Sequence, residues 1–203
     1  MPKGDPSMGA TQALAQFGHD LKWHQVPDRV KDILHVLMVD IFRATAGGID
    51  RPWTEKIKSM YQHHQSDQCA QVMLHDLQVD VAKAAFIHAT ACGSLDWDDS
   101  HVAAIIHPGI CVWPAALAMA QITHASGQAL LEACLVGYET AIRIGMSIQP
   151  EHSLRGFQGT PTCGAFGAAA ACAKLLGLSV EEHQNALGIA ATFACGISQF
   201  FVS

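Results

Sequence analysis

The chain has 203 residues, 50% of them hydrophobic and 15% charged. That balance excludes a disordered chain, and the length suits one domain or at most two small ones. The formal net charge is −6 with no basic stripe, which excludes the long phosphate-tracking contact that nucleic acid requires.

Residues 1–10 are rich in Gly, Pro and Ser and read as a frayed tail. Leu14, Phe17 and Leu21 then recur at helical spacing. Pro27-Asp28 opens a longer amphipathic helix whose stripe is Val30, Ile33, Leu34, Leu37, Met38 and Ile41, and Gly47-Gly48 ends it. Pro52 starts another helix that runs to about His64. Gln71 to Leu74 is a short extended candidate, and the polar stretch Asp76 to Asp80 offers a cap for a helix from Val81 to Cys92. Periodicity fails from Gly93 to Pro108. Three long helical patterns follow, at about 110–124, 127–148 and 161–176. Ser179, with Glu181 and Glu182 in the first turn, caps a last helix that reaches about Cys195, and Gly177 ends the one before it. Small residues are abundant after residue 110, so close helix packing is expected. The fold class is all-α.

The seven cysteines are scattered without a CxxC pair and read as buried, reduced thiols of a cytosolic protein. The first residues, Met1 to Asp5, lack an apolar signal core. The longest apolar run, Ile110 to Ala120, contains Pro114 and is too short for a bilayer. A cytoplasmic protein with no membrane partner is expected, with organellar targeting left open. So little charge beside so much apolar surface also points to a shared face, either a dimer or a partner domain.

The densest polar cluster is Asp96, Asp98, Asp99, Ser100, His101 and His107. Three carboxylates within four positions repel one another unless a proton or cation lies between them, which raises one of their pKa values. A histidine beside them suits proton transfer near neutral pH, and Pro108 holds the His107 backbone extended. The alternative is an acidic loop that caps two helices and faces water. Asp and His could together hold a metal, but the spacing fits no known pattern and HExxH is absent, so no metal is expected. Asp96-Trp97-Asp98-Asp99 also matches the DxDD pattern of terpene cyclases, although aromatic residues are too few for a carbocation site. Gly156 to Thr160 precedes a helix whose N-terminal N–H groups could bind a carboxylate, or it is a plain turn. Arg143 reads as an internal ion-pair partner. The remaining histidines, His88 and His183 among them, read as mostly surface or cap residues.

The order of motifs resembles the MmgE/PrpD family, which includes 2-methylcitrate dehydratase and cis-aconitate decarboxylase. Ala84-Ala85-Phe86 and Leu95-Asp96-Trp97-Asp98-Asp99-Ser100-His101 resemble its AAF and LDFDDTH motifs. His107-Pro108-Gly109 with Pro114-Ala115-Ala116-Leu117-Ala118, and Gly137-Tyr138-Glu139 with Arg143-Ile144-Gly145, resemble HPG…PAALA and GYE…RIG. Gly164 to Ala171, Leu175 to Leu178 and Asn185 to Ala190 continue the match to near the end. The resemblance implies the family's helical domain over 11–203, lacking the smaller α+β domain, and a homodimer. It implies dehydration, decarboxylation or epimerisation of small di- or tricarboxylic acids without metal or organic cofactor. It places Asp96, Ser100 and His107 in the catalytic set, with His107 moving the proton. Gln158, Asp99, His101 and Thr160 are expected to bind substrate. The chain departs from the family at Gln158, where the motif GFH has histidine, and at His88-Ala89, where the family has Asn-Gly. The resemblance also implies lysines from a second domain or chain that complete the site. A non-catalytic helical partner protein is the other reading.

Overall fold

The computed structural model describes residues 9–63 and 66–201. Helix starts fall where the sequence supplies capping chemistry. The Asp80 carboxylate accepts the Ala82 N–H at 3.1 Å and opens α4 (Val81–Cys92). Ser126 caps α6 (Gly127–Ile148), and Ser179 with Glu182 forms a reciprocal box at the start of α9 (Val180–Ala191). Pro52 is the first residue of α3 (Pro52–Tyr61), as its fixed φ favours. The other long helices are α1 (Ala10–Asp20), α2 (Asp28–Gly48), α5 (Gly109–Ile122) and α8 (Gly159–Leu175). A single-turn helix, α7 (Glu151–Leu154), precedes α8. Among the described residues the fold is mainly helical, and no helix is long and apolar enough to cross a membrane.

Several expectations change. Residues 1–8 of the predicted tail lie outside the described residues, and α1 already begins at Ala10. α3 ends at Tyr61, and His64 is likewise outside. The extended candidate at 71–74 is shifted. The strands are β1 (Cys69–Gln71) and β2 (Gln78–Asp80), paired antiparallel, with Leu74 at φ 60 in the turn between them. In the α2 stripe, Leu34 and Ile41 are buried, but Ile33 is exposed. α9 stops at Ala191, short of Cys195. The chain peels away to pair with the segment before α8: the Gln158 N–H donates to the Gly196 carbonyl and the Ser198 N–H to that of Gly156. Gly196 sits at φ +113 with Pro161 against it, so only glycine fits this crossing. His88 and His183 are fully buried rather than on the surface.

The core lies where α5, α6 and α8 meet, around the fully buried Trp113. α6 and α8 approach until their backbones touch. A side chain at Gly137 would come within 2.8 Å of the Gly167 carbonyl, and one at Gly167 within 2.9 Å of the Gly137 carbonyl. Each large aliphatic residue buried here contributes about 1.5–3 kcal/mol. All seven cysteines are free, and only Cys195 is exposed. Burial pushes the thiols of Cys163 and Cys172 up to about 11 and that of Cys111 up to about 12, so these three are poor nucleophiles near neutral pH.

Candidate active site

The non-periodic segment between α4 and α5 is a series of tight turns. A short 3₁₀ turn (Gly93–Leu95) leads to Asp96 in the left-handed region at φ 54, a conformation Asp tolerates better than most residues. His101 and Ile106 form an isolated bridge, and the His101 ring accepts the Ala104 N–H through Nδ1 at 3.2 Å. Arg43 of α2 donates to the Trp97 carbonyl and to Asp40, which ties the acidic turn to the helical body. His107 is fixed from the other side. Its backbone N–H donates to the Thr160 hydroxyl at 2.9 Å, at the start of α8.

Burial separates three carboxylates that look alike in sequence. The Asp96 side chain is 88% exposed and that of Asp98 only 1%. Both face the His107 ring: Asp96 Oδ1 lies 3.8 Å from Nε2, and Asp98 Oδ2 lies 3.4 Å from Nδ1. Asp99 turns the other way. Its carboxylate accepts the Gly109 N–H at 3.1 Å and the Tyr138 hydroxyl, which in turn accepts the Trp113 indole N–H at 3.0 Å. Burial pushes Asp99 up to about 6, against the pull of the Tyr138 hydroxyl. Burial also raises Asp98 above the usual carboxylate range, while its own backbone N–H and the nearby His107 oppose the shift.

An open cleft of about 590 Å³ lies beside this cluster, between the 100–107 turns and the entry to α8. Its walls include Ser100, His101, His107, Phe157, Gln158 and Gly159. Thus Ser100, His101, His107 and Gln158 lie together on the cleft wall, with Asp96 against the His107 ring. Thr160 is buried and acts on the His107 backbone. Asp99 does not line this cleft but a second, largely apolar cavity of about 330 Å³ between α2 and α6, which shares Ser100 and His101 with it. The start of α8 offers an anion fewer donors than its sequence suggested. Gln158 Oε1 already accepts the Thr160 N–H at 2.7 Å, and Pro161 has no N–H to give. Arg143 pairs with Glu139 at 2.5 Å, the internal ion pair expected of it. No Lys or Arg is among the described residues that line the cleft.

Among the described residues, Asp96, Asp98 and His107 form the group that could offer a cation three ligand atoms, all within 4.8 Å of one another. Sequence reasoning gave Asp98 no separate task, because nothing in the run of aspartates marks which one is buried. It also passed over Phe157, which is 41% exposed on the cleft wall and stacks on His152.

The molecule is thus a helical body with a histidine–carboxylate cluster beside a loop-lined cleft. The chain belongs to the MmgE/PrpD family, and residues 12–203 match the MmgE/PrpD N-terminal domain. It is 29% identical to the cis-aconitate decarboxylase-like protein oryM of Aspergillus oryzae, over 95% of this chain and 42% of that protein. It is 27% identical to the cis-aconitate decarboxylase of Aspergillus terreus, over 93% of this chain and 40% of that protein. It is 30% identical to the cis-aconitate decarboxylase of Homo sapiens, over 91% and 39%. The chain therefore spans about two-fifths of the length of these relatives.

Proposed function

We propose that this chain supplies one wall of the active site of a cofactor-independent lyase that acts on small di- or tricarboxylic acids, by decarboxylation or dehydration. The observation that carries this reading is the His107 ring, held between two aspartates on the wall of a cleft large enough for a citrate-sized acid. Both reactions move a proton on a carbon next to a carboxylate, and a histidine suits that step near neutral pH. In this reading His107 transfers the proton and Asp96 faces its reactive edge. Ser100, His101 and Gln158 hydrogen-bond the substrate carboxylates. Thr160 and Asp99 set the backbone on which these groups sit. Gln158 can hold a carboxylate but cannot exchange a proton, so it belongs with binding. Lysines from a further segment or chain supply the positive charge that the cleft wall lacks. The family relationship and the names of the relatives support a lyase, with decarboxylation favoured among the alternatives.

The test is deuterium exchange into citrate, aconitate and succinate, followed by NMR with the full-length gene product. His107→Ala is expected to slow exchange or turnover by about 10²-fold or more while leaving the unfolding transition nearly unchanged. Unchanged turnover removes His107 from the mechanism.

A second reading, a non-catalytic dimerisation domain, draws on α2. Val36 and Val39 are 67% and 63% exposed there, beside the exposed Ile33, a row that a second copy would cover. The two readings are compatible, because a homodimer can also carry the site. Sedimentation as a monomer at micromolar concentration would count against the dimer.

A further inference from the structure

We infer that Asp98 is a positioning residue that holds the Nδ1–H of His107, making Nε2 the atom that exchanges protons with the substrate. The inference rests on the reading of His107 as the proton-transfer group. Its basis is a pairing of two buried atoms. Asp98 Oδ2 and His107 Nδ1 are both shut off from solvent, neither has a hydrogen-bond partner, and they face each other at ion-pair distance, 3.4 Å apart. Buried polar atoms are rarely left unmatched, so each is the other's natural partner. The His107 ring is 30% exposed although Nδ1 is not, and its open edge carries Nε2, towards Asp96.

The neighbouring carboxylates cannot take this place. Asp99 is engaged by the Gly109 N–H and the Tyr138 hydroxyl, and Asp96 lies on the Nε2 side. The other ionisable groups around Asp98 are Asp40 of α2 and the thiols of Cys92 and Cys111 from α4 and α5. Of all these groups, His107 alone can become cationic. The Thr160 hydroxyl fixes the His107 backbone, which leaves ring rotation as the remaining freedom, and Asp98 removes it. A second ring nitrogen held in this way sets both tautomer and orientation.

Chemically, the arrangement serves both directions. As a base, the Nε2 lone pair takes the proton from a carbon next to a carboxylate, and the C–H electron pair stays on that carbon. As an acid, the imidazolium Nε2–H gives its proton to a carbon that has lost CO₂ and kept the C–C electron pair. Asp98 faces the imidazolium in each case.

The test reads the ring itself, without turnover. The chain is prepared with ¹⁵N-labelled histidine, and long-range ¹H–¹⁵N correlation spectra separate Nδ1–H from Nε2–H tautomers. The His107 signals are assigned by their loss in His107→Gln. Above its titration, His107 is expected to be mainly Nδ1–H in the native chain and in Asp98→Glu. In Asp98→Asn the balance is expected to shift towards Nε2–H. A native chain that is mainly Nε2–H overturns the inference, as does an Asp98→Asn chain with the native balance. If Asp98→Asn does not fold, the native spectrum decides alone. In the full-length gene product, Asp98→Asn is also expected to slow deuterium exchange by about 10²-fold and shift its pH profile. An Nδ1–H ring combined with exchange that survives His107→Ala would leave the positioning intact and sink the proposed function instead.

Discussion

The contact between α6 and α8 and the turns at 93–108 use opposite materials to reach the same end, a fixed position for each backbone. In the helical body, glycines at 137 and 167 let two main chains touch, and no polar side chain is needed. In the turns, polar groups hold the chain: Arg43 on the Trp97 carbonyl, Asp99 on Gly109 and Tyr138, Thr160 on the His107 N–H. Packing by small residues tolerates pH but not volume. Turns held by polar contacts depend on protonation where an ionisable group such as Asp99 is buried among them. The candidate site belongs to the second kind, which leaves it open to chemistry.

Three perturbations probe that contrast. Gly137→Val should have the largest effect on stability, because even its Cβ would lie 2.7 Å from Val112 and 2.8 Å from the Gly167 carbonyl. A loss of about 3 kcal/mol is expected, read as a fall in Tm of about 6–12 °C. A Tm within a degree of native would mean that the helices can part at little cost.

Next comes pH. Burial lowers His88 to about 4, so its contribution is complete above 6.5 and lost as pH falls towards 4. Burial raises Asp99 to about 6, so its contribution is complete below 3.8 and lost as pH rises through 6. Between about pH 4 and pH 6 the two slopes oppose each other, each worth about 2 kcal/mol. Denaturant unfolding at both pH values should separate them. Relative to native, His88→Asn should gain stability as pH falls towards 4, and Asp99→Asn should gain it as pH rises towards 6. Parallel curves for both variants would show that neither group is desolvated.

The smallest effect is expected at Asp96→Asn. Asp96 is exposed, its distance to His107 is 3.8 Å, and asparagine also accepts the left-handed conformation. Stability should stay within about 0.5 kcal/mol of native. A larger loss in denaturant unfolding would show that Asp96 helps hold the turn.

The helical body was legible in the sequence because its signals are local. Caps at Asp80 and Ser179, Pro52 at a helix start and the α2 stripe each act over a few residues. α9 was read too long because the pairing of Gly196 with Gln158 is a contact between distant segments. The same reason hid His88, whose Nε2 accepts the Met73 N–H at 2.7 Å from the hairpin. At the site, the order of motifs brought Asp96, Ser100 and His107 into view. The difference between Asp98 and Asp99 was not visible, because it arises from which face of a turn each carboxylate takes.

The central claim is that the acidic turn and His107 meet on a cleft that holds carboxylates. NMR titration of the chain with succinate, citrate and aconitate tests it most directly. Saturating shifts confined to His101, His107, Gln158 and Gly159 are the predicted result. Shifts that spare these residues, or that gather around His35 and Arg43 on α2, would contradict it.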